Sequence, residues 1–186
     1  MIAEFFQRPV LDVARALIGA ELYVDGVGGR IVEVEAYHPD DQASHAYGNR
    51  RTARNGAMFL AGGYAYVYRS YGVHWCLNLV CEAEGLAAAV LLRALEPTRG
   101  LDEMRARRGA VGDRLLCSGP GRLCEALGVT RDQDGLRLDR PPFEVIARTG
   151  EPELLVGTRI GLTKAPDLPW RFGLAGSRYL SRPFRA

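Results

Sequence analysis

Two glutamates stand two positions apart in GRIVEVEAY (29–37), and one arginine, Arg93, interrupts the apolar run AAAVLLRALEP (87–97). On a strand, Glu33 and Glu35 share a face with Tyr37. An arginine inside an apolar strand needs an anion, because a buried unpaired charge is costly. Glu35 is a candidate partner, and the pair has two readings. It is a structural ion pair, or it is a general base oriented by a cation with a water held between them. The two glutamates also raise the reading of a carbohydrate hydrolase. Residues two apart on a strand sit about 6.6 Å apart at about 3.3 Å per residue, near the roughly 6.5–9.5 Å carboxylate separation of an inverting glycosidase. Side chains that project in parallel from one strand flank a bond poorly, which counts against it.

The second chemistry-bearing stretch is YAYVYRSYGVHWCLNL (64–79), with four tyrosines, a tryptophan, a histidine and an arginine. Tyr64, Tyr66 and Tyr68 alternate with Ala65, Val67 and Arg69, so one strand face is a row of rings. Arg69-Ser70-Tyr71-Gly72 reads as a hairpin turn with Gly72 at positive φ. Tyr71 then sits at the tip, poorly placed for a core and well placed to enter something else. His45, in the polar segment HPDDQASHAYGNRRTARNGAMF (38–59), can stack on a flat ligand or lie on the surface. If Tyr37 and Tyr68 face each other, they sandwich a flat base beside Glu35, while Tyr71 fills the gap the base leaves. A base-flipping enzyme needs that arrangement.

Positioning these groups requires one domain, and the chain's 186 residues suit one, spanning 1–186. PVLDVARALIG (9–19), PTRGLDEMRARRG (97–109) and SGPGRLCEALG (118–128) read as helices. Residues 21–37 read as two strands about a Gly-rich turn. In the second of these, Val32, Val34 and Ala36 face one way and Ile31, Glu33, Glu35 and Tyr37 the other. FEVIAR (143–148) and TRIGL (158–162) read as short strands, and EPELLVG and KAPDLPW as loops. Strands in hairpins plus separate helices make an α+β fold, a single compact domain with a mostly antiparallel sheet, surrounding helices and a protruding hairpin.

All but one of the 24 basic residues are arginine, the exception being Lys164. Codon usage gives such a bias, and so does phosphate recognition by guanidinium forks. Arg50, Arg51 and Arg54 cluster without an acid nearby. Arg171, Arg178, Arg182 and Arg185 follow the last acid, Asp167. Both patches suit a nucleic-acid footprint. The four cysteines lack CxxC spacing and the three histidines lack HxH or HExxH spacing, which argues for reduced thiols and against a metal. MIAEFFQRPV has no secretory apolar region, and no apolar run is long enough to span a membrane. A cytoplasmic location is expected, nucleoid-associated through DNA.

These blocks resemble the alkyladenine DNA glycosylases, also called 3-methyladenine DNA glycosylases of the AAG/MPG type. The likeness rests on GRIVEVEAY, His45, RNGAMF (54–59), YVYRSYGVHWCLN (66–78), VLLRALEP (90–97), LCSGPGRLCEALG (116–128) and RFGLAGSRYLS, and runs from about residue 4 to about residue 182. It implies a monomeric, cofactor-free enzyme that flips alkylated and deaminated purines out of double-stranded DNA. The N-glycosidic bond is then hydrolysed. Glu35 would activate the water, with Arg93 and the main-chain carbonyl of Leu174 orienting it. Tyr37, His45 and Tyr68 would line the base pocket. Asn78 would clash with the 2-amino group of guanine. Tyr71 would intercalate, and Arg51, Arg54 and Arg122 would contact the DNA backbone. Arg69-Ser70 at the tip departs from the more apolar residues expected there. Independently of the family, strand cleavage needs an amine for a Schiff base. The chain offers Lys164 and its N-terminus, so a monofunctional enzyme is expected. The rivals are a non-catalytic nucleic-acid-binding module and the carbohydrate glycosidase.

Overall fold

Chain order places a long, twice-paired strand at the centre of the molecule. The computed structural model describes residues 2–184. Helices α1 (Ile2–Phe6) and α2 (Val10–Leu17) open it, followed by strands β1 (Glu21–Val24) and β2 (Val27–Tyr37). After an irregular segment come β3 (Ala65–Ser70), β4 (His74–Cys81) and β5 (Ala88–Arg99). Helices α3 (Leu101–Arg108), α4 (Asp113–Leu116) and α5 (Pro120–Leu127) precede β6 (Phe143–Ile146), β7 (Leu154–Gly157) and β8 (Arg171–Leu174). All strand pairs are antiparallel, in the order β3-β4-β5-β2-β1-β6, with β8 also on β2 and β7 on β8. The fold is α+β, as expected.

Strand β2 holds the site because both its edges are used. Its first half pairs with β1, its second half with β8, and its other edge with β5. The register slips where Ile31↔Leu95 gives way to Glu33↔Ala94 and then Val34↔Leu92, leaving Val32 and Arg93 unpaired. The irregularity breaks strict alternation. Ile31 therefore joins Val34 and Ala36 in the main apolar core, and Val32 does not. That corrects the simple two-faced strand. The core lies between this sheet face and α2, α3 and α5; α2 contributes Val10, Val13, Ala14 and Leu17 at helical spacing. A smaller cluster on the other face, with Ala46, Met58, Phe59, Tyr66 and Val80, seats the 38–59 segment.

Other boundaries move for local reasons. Pro97 did not end β5, which continues to Arg99; the helix after it starts at Leu101, behind Gly100 at φ 75°. The expected strand 158–162 is irregular, and the strand lies instead at Leu154–Gly157, inside the expected loop EPELLVG. Pairing with β8 decides this, since a four-residue apolar run carries little preference of its own.

Candidate active site

Glu35 is fully buried on β2 between Leu91 of β5 and Arg171 of β8. Its Oε1 forms an ion pair with Arg93 Nη1 at 3.2 Å and accepts the Ile160 N–H at 2.8 Å, and its Oε2 accepts the Tyr37 hydroxyl at 2.8 Å. A carboxylate oxygen has two acceptor directions. Beyond the Tyr37 bond, Oε2 therefore keeps one direction uncommitted. Burial raises the pKa of Tyr37, and the neighbouring Glu35 carboxylate raises it further. Tyr37 therefore stays a hydrogen-bond donor. Arg93 is also raised: burial opposes its charge, but Glu35 and Glu33 outweigh that.

The expected partner of Arg93 is thus one of two. Its Nε binds Glu33 Oε1 at 3.0 Å. Glu33 is itself fully buried, and Arg171 Nε and both the N–H and hydroxyl of Ser181 also bind it. With its oxygens so committed, and no place in the cleft lining, Glu33 cannot pair with Glu35 across a sugar bond. Arg171 is buried rather than part of a basic surface, which removes it from the C-terminal patch. Arg178 and Arg182 are exposed, while Arg185 falls outside the described residues.

A cleft of about 560 Å³ leads to Glu35 and Arg93. Tyr37, His45, Tyr68, Asn78, Arg54 and Tyr71 also line it. Most of the expected site is therefore brought together. Tyr66 and Tyr68 stack with centroids 5.4 Å apart, as their alternation on β3 predicts, and His45 meets Tyr68 edge-on at 4.5 Å. His45 Nδ1 lies 3.2 Å from the Tyr66 hydroxyl. Burial lowers the His45 pKa and the Arg54 cation lowers it further, so the ring is neutral near pH 7. Burial raises both Tyr66 and Tyr68. Asn78 is buried in the wall, its Nδ2 donating to the Tyr66 carbonyl at 3.1 Å.

The mouth is basic and aromatic. Arg54 lies 5.1 Å over the Tyr68 ring and donates to the Arg69 carbonyl at 3.0 Å. Arg51 and Arg122 are exposed but do not line the cleft. Strands β3 and β4 pair through Ser70↔His74, so the turn is Tyr71-Gly72-Val73 rather than one beginning at Arg69. Tyr71 and Gly72 take φ of 50° and 68°, and Val73 N–H bonds Ser70 O at 3.0 Å. Tyr71 is 94 % exposed.

Leu174 does not belong here. It pairs with Leu154 at the end of β8 and lines a separate cleft with Gly19, Glu21 and Arg30. The main chain that reaches Glu35 is that of Ile160. Its neighbour Arg159 is buried, paired with Asp41 and stacked near Tyr37 (4.7 Å) and Trp170 (5.3 Å). Asn55 is another residue the sequence did not single out. Buried, it donates to the carbonyls of His45 and Arg50 and accepts the Thr52 N–H, fixing the loop that carries His45. Arg171 carried a readable signal, since it interrupts the apolar WRF as Arg93 interrupts its own strand.

All four cysteines are free and buried. Burial pushes the Cys117 thiol up to about 12. Among the described residues, no cluster of His, Cys, Asp or Glu could hold a metal ion, and no helix is long and apolar enough to cross a membrane.

An antiparallel α+β domain whose ring-lined cleft ends on an arginine-paired carboxylate can hold a flat group beside an acid. The profile of the family described as Methylpurine-DNA glycosylase (MPG) matches residues 4–178, and the chain belongs to that family. It is 62% identical over 181 residues to the "Putative 3-methyladenine DNA glycosylase" of Rhodopseudomonas palustris, covering 97% of this chain and 90% of that one. A protein of the same name from Nitrobacter winogradskyi is 60% identical over 98% of this chain and 87% of its own. One from Agrobacterium fabrum is 57% identical over 97% and 91%. The chain is accordingly a DNA glycosylase, a hydrolase of DNA repair acting on methylated bases.

Proposed function

We propose that this chain, acting as a monomer, flips an alkylated purine out of duplex DNA and hydrolyses its N-glycosidic bond with a water activated by Glu35. The observation that carries the reading is the uncommitted acceptor direction on Glu35 Oε2, beside a cleft walled by rings. A water donating there gives up its proton as it attacks the sugar, and the carboxylate faces the positive charge that develops. Glu35 has no exposed surface in the free protein, so the wall must relax around the nucleotide to admit that water. Arg93 and the Ile160 N–H keep the carboxylate oriented, and the Tyr37 hydroxyl holds its second oxygen.

Tyr37, His45 and Tyr68 stack on the flipped base, and their π faces favour cationic alkylated purines. A neutral His45 does not repel such a base. Asn78, held by the Tyr66 carbonyl, stands where a guanine 2-amino group would clash. Tyr71 occupies the vacated stack, while Arg51, Arg54 and Arg122 bind phosphates. Lys164 is exposed in the irregular 158–168 stretch and does not line the cleft; the N-terminal amine falls outside the described residues. In this reading Glu35, not an amine, does the chemistry, and the product is an intact strand with an abasic site.

Duplexes carrying one ethenoadenine, hypoxanthine or 7-methylguanine test this, with wild type and Glu35→Gln compared before and after alkali. Wild type cuts only after alkali, and Glu35→Gln loses about 10²–10⁴-fold in rate while keeping duplex binding. Equal rates for both proteins, or a borohydride-trapped protein–DNA crosslink, would overturn the reading.

A further inference from the structure

The first glutamate of EVE, Glu33, has no part in the mechanism above, yet it is the most heavily bonded side chain near it. Glu33 Oε1 receives Arg93 Nε (3.0 Å), Arg171 Nε (2.9 Å) and the Ser181 hydroxyl (2.7 Å), and Oε2 receives the Ser181 N–H (2.5 Å). Arg171 is held in turn from the chain's end. Its Nη2 donates to the Arg182 carbonyl at 2.5 Å, its Nη1 to the Pro183 carbonyl at 3.4 Å, and its guanidinium lies 3.8 Å from the Phe184 ring. Segment 180–184 is also tied to the start of α5, where the Ser118 hydroxyl donates to the Leu180 carbonyl at 3.4 Å.

The three nitrogens of Arg93 are thereby divided. Nε goes to Glu33, Nη1 to Glu35, and Nη2 lies 3.5 Å from the Ser181 hydroxyl oxygen. A guanidinium is rigid and planar, so fixing one edge sets the direction of the other. Two carboxylates and two guanidiniums are buried together, and their charges balance. Removing one charge unbalances the set without exposing it.

We propose that Glu33 is a positioning residue: it locks Arg93 to the C-terminal segment 180–184, so that the guanidinium presents Nη1 to Glu35 in one fixed direction. Arg171 and Ser181 are the second layer of the same lock. Glu33 has no accessible surface and does not line the cleft, so it touches neither DNA nor the base. The inference rests on Glu35 being the base.

The test compares Glu33→Gln, Ser181→Ala and Arg171→Lys with wild type and Glu35→Gln. Single-turnover base release is measured at saturating protein, together with duplex Kd and the thermal midpoint. A displacement of about 1 Å at a catalytic group costs on the order of 10²-fold in rate. Glu33→Gln is therefore expected to lose on that order of rate with Kd within about twofold of wild type. Arg171→Lys, which keeps the charge and loses the fork, is expected to lose less in the same direction. A purely structural Glu33 would lower the thermal midpoint and leave the saturated rate of the folded protein at the wild-type value; that result overturns the proposal. If Glu33→Gln does not fold, Ser181→Ala decides, because it deletes one partly buried hydroxyl. A several-fold slower rate at unchanged Kd supports the lock, and a wild-type rate overturns it. An active Glu35→Gln sinks the underlying mechanism; an inactive Glu35→Gln beside a fully active Glu33→Gln sinks only the lock.

Discussion

Tyr71 combines two features whose energetic consequences have opposite signs, and Tyr71→Gly separates them. The residue holds φ at 50°, in the left-handed region, and its ring is 94 % exposed. For an L side chain that backbone costs about 1–2 kcal/mol, which glycine avoids. Glycine loses more chain entropy on folding, about 0.5–1 kcal/mol. The net effect on stability is a gain of about 0–1.5 kcal/mol, because the exposed ring contributes no core packing. A domain of this size shifts its midpoint by about 2–4 °C per kcal/mol, so Tm should rise by about 0–6 °C. Activity should move the other way. Base–aromatic stacking is worth about 1–3 kcal/mol, and about 1.4 kcal/mol is a factor of ten. Losing the ring should therefore slow single-turnover base release by about 5- to 150-fold. The assay pairs thermal melting with base release from a lesion duplex whose fluorescence reports unstacking. Tyr71→Ala serves as a control that keeps the positive φ, and should lose the same activity without the gain in Tm. A fall in Tm of several degrees for Tyr71→Gly would mean that the ring packs in the fold. Base release within twofold of wild type would mean that nothing is plugged by it.

The pKa of His45 should lie below the ordinary histidine value of 6.5, and Arg54→Ala should raise it only part of the way, because burial is the larger cause; NMR titration of the ring checks both. The unfolded chain then binds the proton first as pH falls, so stability from this residue is present above about 6.5 and is lost as pH drops through that value toward the folded one. Release of a cationic base should decline on the same acid side. Asp41→Asn keeps the shape of the side chain but strips the counter-charge from buried Arg159. Breaking one half of a buried pair costs about 3–5 kcal/mol, or about 6–20 °C in Tm at this chain length, and a midpoint within 2 °C of wild type would show that the Tyr37 and Trp170 rings alone support the cation.

The parts of this site that the sequence made legible share one property: each is a local contradiction. Arg93 is a charge in an apolar run, Tyr71 is a large ring at a turn, and the tyrosine alternation exceeds what a strand face needs. Each could be read in a window of a few residues. What the sequence hid depends on register or on distant pairing. The slip that leaves Val32 and Arg93 unpaired has no marker such as a glycine, so the alternation over 31–37 looked regular. Ile160 reaches Glu35 across 125 positions of chain, and nothing near it announces a backbone donor. The strand at Leu154–Gly157 exists through its pairing with β8 rather than through its own pattern.

Glu33 shows why the misreadings were coupled. Two glutamates at strand spacing invite comparison with a carboxylate pair that acts together, and an arginine-rich tail invites comparison with a phosphate-binding arm. Each of those comparisons treats its own segment as facing solvent. In the folded chain the tail delivers Arg171 and Ser181 to Glu33, and both charges disappear from the surface together. That neutralisation leaves Glu35 as the carboxylate of the pair that lines the cleft, and of the tail's described arginines it leaves Arg178 and Arg182 on the surface, with Arg51 and Arg54 exposed nearer the hairpin. The same contacts that commit Glu33 therefore support the proposal that Glu35 is the acting acid.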